Sequence, residues 1–123
     1  MFDLATDSDS CQLIKEFYES GKVVSAVCHG PAAFVNVKLS DGTNLLQDQQ
    51  VTGFTNVEED QVGLSGVMPF LLENSLVKSG GKFNAADEPW GLKVVKSGKG
   101  GKLITGQNPS SARATGQAIL SAM

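Results

Sequence analysis

Residues 22–31, with the sequence KVVSAVCHGP, join a β-branched apolar run to a turn of small residues. The run at 22–27 shows no polar alternation, which favours a parallel strand buried on both faces. The segment at 31–35 begins with proline and predicts a short helix. A strand, a sharp turn and a helix in this order, with another helix before them, indicate an α/β fold.

The helix before this strand is predicted from apolar residues that recur at helical spacing up to Ser20. We expect Ser8 or Asp9 to cap its start and Gly21 to end it. The remaining elements follow the strand. They are small strands at 37–39 and 50–54 forming a peripheral hairpin, a helical turn at 57–64, a helix at 68–78, strands at 82–85, 92–95 and 102–105 with the last two as a hairpin, and an amphipathic helix from 109 to 123.

The composition favours one ordinary globular domain, since 41% of the 123 residues are hydrophobic. A net charge of −3 offers no basic surface, which argues against a nucleic-acid or anionic-membrane partner. The chain start resembles no signal peptide, and no apolar stretch is long enough to span a bilayer. We therefore expect a soluble, cytoplasmic protein.

The two cysteines and one histidine limit the metal and redox chemistry available to the chain. Cys11 and Cys28 are too far apart for a C-x-x-C pair, and a single histidine leaves too few ligands for zinc. Cys11 lies on the apolar face of the first helix, where packing explains it best. The sequence therefore predicts no metal site, and a disulfide is disfavoured.

The pattern Ala26-x-Cys28-x-Gly30 matches a nucleophile elbow. Small residues two positions before and after the nucleophile allow a strained strand-to-helix turn to close without side-chain clashes. We expect the thiol at the C-terminal edge of the sheet, with its pKa lowered by the start of the following helix. The pattern alone fits a buried structural cysteine equally well.

An imidazole and a carboxylate cluster are available to complete a nucleophilic site around Cys28. His29 follows it directly, and the acids at 58–60 come after the segment Gly53-Phe54-Thr55. A thiol, an imidazole and an orienting carboxylate form a nucleophilic set. A solvated helix start, where carboxylates favour the helix dipole, explains Glu58 and Asp60. Trp90 could wall a pocket, although the residues alone favour its burial beneath a loop.

The heptapeptide at 26–32 resembles the ThiJ/PfpI superfamily, which implies a flavodoxin-like, mostly parallel sheet sandwiched by helices, as in class I glutamine amidotransferases. The segments at 52–59, 89–90 and 103–112 are similar to its glutathione-independent glyoxalase branch, which is also described as a stress chaperone group. The similarity runs nearly from end to end.

The resemblance implies a role for each matching residue. Cys28 is the nucleophile, His29 the adjacent base and Glu59 the carboxylate that orients it, while Gly30, Phe54 and Trp90 contribute to the substrate pocket. The implied reaction converts methylglyoxal, a small 2-oxoaldehyde, to lactate with no metal, cofactor or glutathione. The full-length protein is expected to be a cytoplasmic homodimer that protects against carbonyl stress.

The chain departs from the family pattern at its start, because family members have about another half-domain before the position of Met1. We expect residues 1–123 to be the C-terminal portion of a single domain, seen as a fragment, a nicked product or part of a longer protein. A glutamate that contacts the catalytic sulfur and a glycine-rich oxyanion loop would lie upstream. Such a chain is expected to expose a sheet edge and apolar faces.

Two other functions remain open at this point. One is a stress-protective holdase or redox sensor in which Cys28 is oxidised and no substrate is turned over. The other is a cysteine peptidase or amidotransferase-like hydrolase, since the same elbow serves both in related folds.

Overall fold

The computed structural model describes all residues from 1 to 123. None of its helices is long and apolar enough to cross a membrane. Three short 3₁₀ helices, at Gly30–Phe34, Lys99–Gly101 and Pro109–Ser111, supplement the regular elements. The regular elements are α1 (Ser8–Glu19), β1 (Val24–Val27), β2 (Gln50–Val51), α2 (Asn56–Gln61), α3 (Leu72–Lys78), β3 (Lys82–Phe83), β4 (Val94–Ser97), β5 (Leu103–Gly106) and α4 (Ala112–Ala122).

The strands form two small sheets. The larger sheet has the order β1-β5-β4, in which β1 runs parallel to β5 and β4 runs antiparallel to it. The smaller sheet pairs β2 with β3 in parallel. With helices packed around these strands, the α/β fold expected from the sequence is confirmed, and so is the β4–β5 hairpin.

Strand β1 lies at the edge of its sheet and is only partly buried, so the expectation that it is buried on both faces is wrong. Only Val24 in this strand is fully buried. The other edge of β1 has no strand partner and borders an open groove beside α1, about 530 Å³ in volume, which we call the α1–β1 groove. Its apolar lining includes Leu4, Leu13, Ile14, Phe17, Val27 and Ala33.

The hydrophobic core is built largely from the segment between β1 and α2, together with α3 and β5. Val37, Leu46 and Val51 have no exposed surface, and burying a side chain of this size stabilises the fold by about 1.5–3 kcal/mol. The predicted peripheral hairpin at 37–54 is therefore wrong. Only one antiparallel bridge, between Lys38 and Asn44, forms there, because β2 pairs with β3 instead.

Two predicted helix starts also differ from the structure. Asp7 caps α1 by accepting a hydrogen bond from the Ser10 N–H at 2.8 Å, whereas Ser8 and Asp9 already belong to the helix. Helix α3 begins at Leu72 rather than at residue 68. Pro69 disfavours helical backbone at Met68, and the N-cap Leu71 is extended, with φ −84° and ψ 121°. The end of α1 is as predicted, with Gly21 in a left-handed conformation at φ 80°.

Candidate active site

Cys28 occupies a strained turn at the C-terminal end of β1. Its φ of 63° lies in the left-handed region, at a cost of about 1–3 kcal/mol for a residue other than glycine. Its N–H donates to the Gly106 carbonyl at 3.0 Å, and its carbonyl accepts from the Phe54 N–H at 2.9 Å. A Cβ at Gly30 would lie only 3.1 Å from the Cβ of Ala26. The predicted elbow geometry and its steric basis are therefore confirmed.

The structure brings Cys28, His29 and Glu59 into one contact chain. The Cys28 Sγ lies 3.5 Å from Nδ1 of His29, and Nε2 of the same ring lies 2.6 Å from Oε2 of Glu59. An ionised carboxylate can only accept a hydrogen bond, so a neutral His29 carries its proton on Nε2. The Nδ1 lone pair then faces the sulfur and can accept its proton.

The first turn of α2 places Glu59 against the imidazole. Thr55 is the N-cap of this helix, and its Oγ1 accepts a hydrogen bond from the Glu58 N–H at 3.1 Å. Glu58 returns the bond, because its Oε1 accepts from the Thr55 N–H at 3.0 Å. This capping box fixes the direction in which α2 starts. Glu59 is 2% exposed, and its Oε1 has no hydrogen-bond partner.

Two aromatic side chains form a wall next to the imidazole. The ring of Phe54 packs on His29 with centroids 4.5 Å apart, and Trp90 meets Phe54 edge-on at 5.4 Å. Trp90 is 37% exposed, so the burial favoured by the residue pattern is wrong. Gly30, the third predicted pocket residue, lines the α1–β1 groove. Phe54 therefore packs directly on the imidazole, and Trp90 packs on the far side of this contact, against Phe54.

The pKa of Cys28 is shifted in the direction opposite to the one expected. Burial is the largest influence and raises the pKa of the thiol, and the negative charges of Glu58 and Glu59 raise it further. The His29 backbone N–H lowers it but does not compensate. The segment after the turn is a five-residue 3₁₀ helix, too short for the helix dipole assumed from the sequence. Burial therefore favours the protonated thiol at Cys28.

Glu58 was expected at a solvated helix start, and the structure contradicts this, because its side chain has no exposed surface. Asp60 is exposed, as expected. Gln107 and Asn108 reach the Glu58 carboxylate from 49 and 50 residues away. The Thr55-x-x-Glu58 spacing is itself a capping-box pattern and could have indicated that Glu58 faces the protein. No local pattern indicates the two distant amides.

Other ligand-binding features are sparse. No group of three or more His, Cys, Asp or Glu side chains is arranged to hold a metal ion. Cys11 packs against the hydrophobic core, as predicted, and both cysteines are free thiols. The Cys28 region is therefore the place where reactive side chains converge.

The Cys28 thiol lies on a left-handed turn at the end of a parallel strand, beside a histidine–carboxylate pair. This arrangement is typical of α/β proteins that carry a cysteine on a nucleophile elbow. Comparison with protein families identifies the lineage. The chain belongs to the DJ-1/PfpI family, whose model matches residues 3–122.

Relatives of known description cover almost the whole chain. Glyoxalase 3 of Candida albicans is 32% identical over an alignment of 127 positions, and the match covers 99% of this chain and 52% of that protein. The glutathione-independent glyoxalase HSP31 of Saccharomyces cerevisiae is 34% identical over 120 residues, covering 94% of this chain and 49% of that protein. The chain thus spans about half the length of the curated relatives it matches.

Solved structures agree with this fold. The crystal structure of glyoxalase III from Candida albicans superposes with a TM-score of 0.90 at 32% identity, covering 99% of this chain and 52% of the other. The Rapid Encystment Protein 24 KDa of Francisella tularensis reaches a TM-score of 0.92 at 40% identity, with 98% and 52% covered. Both likenesses involve about half of the longer protein.

Proposed function

We propose that this protein acts as a glutathione-independent glyoxalase that converts methylglyoxal to lactate and so protects against carbonyl stress. The observation that carries the proposal is the contact chain from the Cys28 sulfur through His29 to Glu59. The comparisons support the proposal, because two relatives at 32% and 34% identity are named as glyoxalases.

The first proposed step is formation of the nucleophile. Nδ1 of His29 takes the proton from Cys28, and Glu59 stabilises the imidazolium through its bond to Nε2. The sulfur then attacks the aldehyde carbon of methylglyoxal, forming a C–S bond as the C=O π bond breaks. The carbonyl oxygen takes the proton back from His29 and becomes the hydroxyl of a hemithioacetal. The sulfur remains bonded to that carbon until the last step.

The second proposed step moves a proton between the two substrate carbons. His29 removes the proton from the former aldehyde carbon and returns it to the neighbouring carbon. The hydroxyl proton on the former aldehyde carbon moves to the neighbouring ketone oxygen, which completes the conversion of the hemithioacetal to a 2-hydroxyacyl thioester. Water then attacks the thioester carbonyl, the C–S bond breaks, and lactate leaves with the thiol restored. The net reaction adds one water to methylglyoxal, so no external oxidant or reductant is required.

Lactate formation from methylglyoxal tests the proposal directly. Because the chain matches half of each relative, it is assayed alone and together with the half of Candida albicans Glyoxalase 3 that the match leaves out. Glutathione is omitted and EDTA is added. We expect the active preparation to lose turnover on Cys28→Ser and to keep it on Cys11→Ser, a matched control at the other free thiol.

Two results would contradict the glyoxalase proposal. One is normal lactate formation by Cys28→Ser, which would show that the thiol is dispensable. The other is turnover of amide or peptide substrates with no turnover of methylglyoxal, which would favour the hydrolase alternative.

We also propose that the full-length protein is a cytoplasmic homodimer. The support is the resemblance to the glyoxalase branch and the need of a thiol nucleophile for a reducing compartment. Light scattering of the purified full-length protein tests the dimer, and fractionation of cells that produce it tests the compartment. A monomer, or recovery from a secreted fraction, would contradict these points.

A holdase is the second candidate function, and the α1–β1 groove favours it. Leu13 is 57% exposed and Phe17 42% exposed within this apolar surface, which suits the apolar segments of unfolded polypeptides. We expect a holdase to suppress client aggregation equally well with Cys28→Ser, since the groove does not use the thiol. Loss of suppression with that variant would contradict a holdase independent of the site.

A further inference from the structure

Glu58 is a fully buried carboxylate on which five hydrogen-bond donors converge. Its Oε1 accepts from the Thr55 N–H and hydroxyl, each at 3.0 Å, and from Nε2 of Gln107 at 3.1 Å. Its Oε2 accepts from the Trp90 N–H at 2.9 Å and from Nδ2 of Asn108 at 2.8 Å. A buried charge is tolerated only when its oxygens are satisfied in this way.

These donors come from three separate segments of the chain. One is the start of α2, one is the loop at 84–93 that carries Trp90, and one follows β5. The two amides after β5 also hold the loop themselves, because Oε1 of Gln107 accepts from the Ala86 N–H and Nδ2 of Asn108 donates to the Gly91 carbonyl, both at 2.8 Å. The loop is therefore fastened on both sides of Trp90 as well as at Trp90 itself.

The backbone conformation of Trp90 has to be held in place by hydrogen bonds of this kind. Its φ of 66° lies in the left-handed region, which a bulky residue adopts only when its surroundings impose it. The hydrogen bond from its N–H to Glu58 supplies that constraint, and Nε1 of the indole donates to Oε1 of Gln61 at 2.6 Å. In this position the indole packs against Phe54, which in turn packs on His29.

We propose that Glu58 is a positioning residue of the active site, which fastens the Trp90 loop and the start of α2 to each other. Through α2 it holds Glu59 against the imidazole of His29, and through the loop it holds the aromatic wall. Glu58 touches neither Cys28 nor His29, so apart from its negative charge, which raises the pKa of the Cys28 thiol, it acts on the chemistry through these neighbours. The catalytic part of this inference rests on the proposed glyoxalase function, while the positioning part does not.

Glu58→Gln tests the positioning part without any assay of turnover. The glutamine has nearly the same shape, but its NH₂ group faces N–H donors where a carboxylate oxygen stood. Trp90 is the only tryptophan in the chain, so its fluorescence reports on the loop alone. We expect Glu58→Gln to shift its emission to longer wavelength and to increase quenching by acrylamide, while circular dichroism still shows the native helices.

Asp60→Asn is the matched control, because Asp60 lies in the same helix and is exposed. Its emission and quenching should equal those of the wild type. A folded Glu58→Gln variant with wild-type emission and quenching would overturn the proposal. If Glu58→Gln loses its helical circular dichroism, the emission of the Asn108→Ala variant is measured instead. A shift to longer wavelength in that variant supports the proposal, and an unchanged emission overturns it.

The catalytic part is tested in the preparation that forms lactate. We expect Glu58→Gln to lower kcat by about tenfold to a hundredfold, the loss typical of a small misplacement of reacting groups, with a smaller change in KM. Asp60→Asn should leave both constants unchanged. A wild type without turnover contradicts the glyoxalase proposal but leaves the fluorescence result valid. An unchanged kcat in Glu58→Gln contradicts the role of Glu58 in catalysis.

Discussion

Cys28 combines a strained backbone conformation with an adjacent imidazole, that of His29. The left-handed turn presents the sulfur at the end of β1, where partial burial raises the pKa of the thiol. The imidazole lies with Nδ1 at 3.5 Å from this sulfur. Under the proposed mechanism, the thiolate would form by proton transfer to His29 when the substrate reacts, since burial favours the protonated thiol.

The pH dependence of Cys28 alkylation follows from this pKa shift. Since only the thiolate reacts, and its formation is opposed by burial, the alkylation rate by iodoacetamide should reach half its maximum above the pKa of about 8.5 of an ordinary cysteine. Mass spectrometry of the Cys11→Ser variant follows Cys28 as the single thiol. A midpoint below that of free cysteine would contradict the expectation.

Glu58 should make the free energy of unfolding depend on pH in the acidic range. Burial opposes its ionisation, but hydrogen bonds from the Thr55 backbone, Asn108, the Trp90 backbone and Gln107 outweigh it, so the pKa of Glu58 is lowered on folding. This stabilisation is complete above the unfolded-state pKa of about 4.3 and is lost as pH falls through the folded-state pKa.

We therefore expect Glu58→Gln to lower the free energy of unfolding by about 2 kcal/mol at pH 7, because buried donors lose their acceptor. The difference from the wild type should shrink on going to strongly acidic pH, where Glu58 is protonated in both states. Urea unfolding at the two pH values measures it, with Asp60→Asn as the exposed control. A difference that is constant with pH would argue against the ionised carboxylate as its source.

At the level of elements, the start of α2 links stability to the site. Thr55→Ala removes the N-cap side chain and should cost about 1 kcal/mol in the free energy of unfolding. Asp7→Ala removes the equivalent cap of α1 and should cost a similar amount. Only Thr55→Ala should also change the alkylation rate of Cys28, since α2 carries Glu59. Equal alkylation rates in the two variants would show that the N-cap of α2 does not affect the reactivity of Cys28.

The elements that could be predicted from sequence are those defined by local patterns. The strand, turn and helix around Cys28 and the β4–β5 hairpin lie within short stretches, so periodicity and small residues were sufficient. The pairing of β2 with β3 joins segments about 30 residues apart and replaced the expected hairpin. Cys28 and His29 are adjacent in sequence, so they could be proposed together. Gln107 and Asn108 are 49 and 50 residues from Glu58, so no local pattern could indicate their hydrogen bonds to it.

At the scale of the whole molecule, the apolar α1–β1 groove is exposed to solvent. Strand β1 pairs only with β5, and beyond its free edge the α1–β1 groove exposes Leu13 and Phe17. The Ser25 Oγ, on the strand that borders this groove, has no hydrogen-bond partner. An unpaired strand edge beside contiguous apolar side chains favours association with other apolar groups.

The purified chain should therefore bind the dye 8-anilinonaphthalene-1-sulfonate and self-associate as its concentration rises. Dye fluorescence and sedimentation velocity measure the two effects. Leu13→Ser and Phe17→Ser should reduce both, because each removes apolar surface from the α1–β1 groove. Leu120→Ser is the matched control, since Leu120 is 73% exposed on α4 but lies outside this groove. Equal losses in all three variants would show that general surface hydrophobicity, rather than the uncovered side of β1, causes the association.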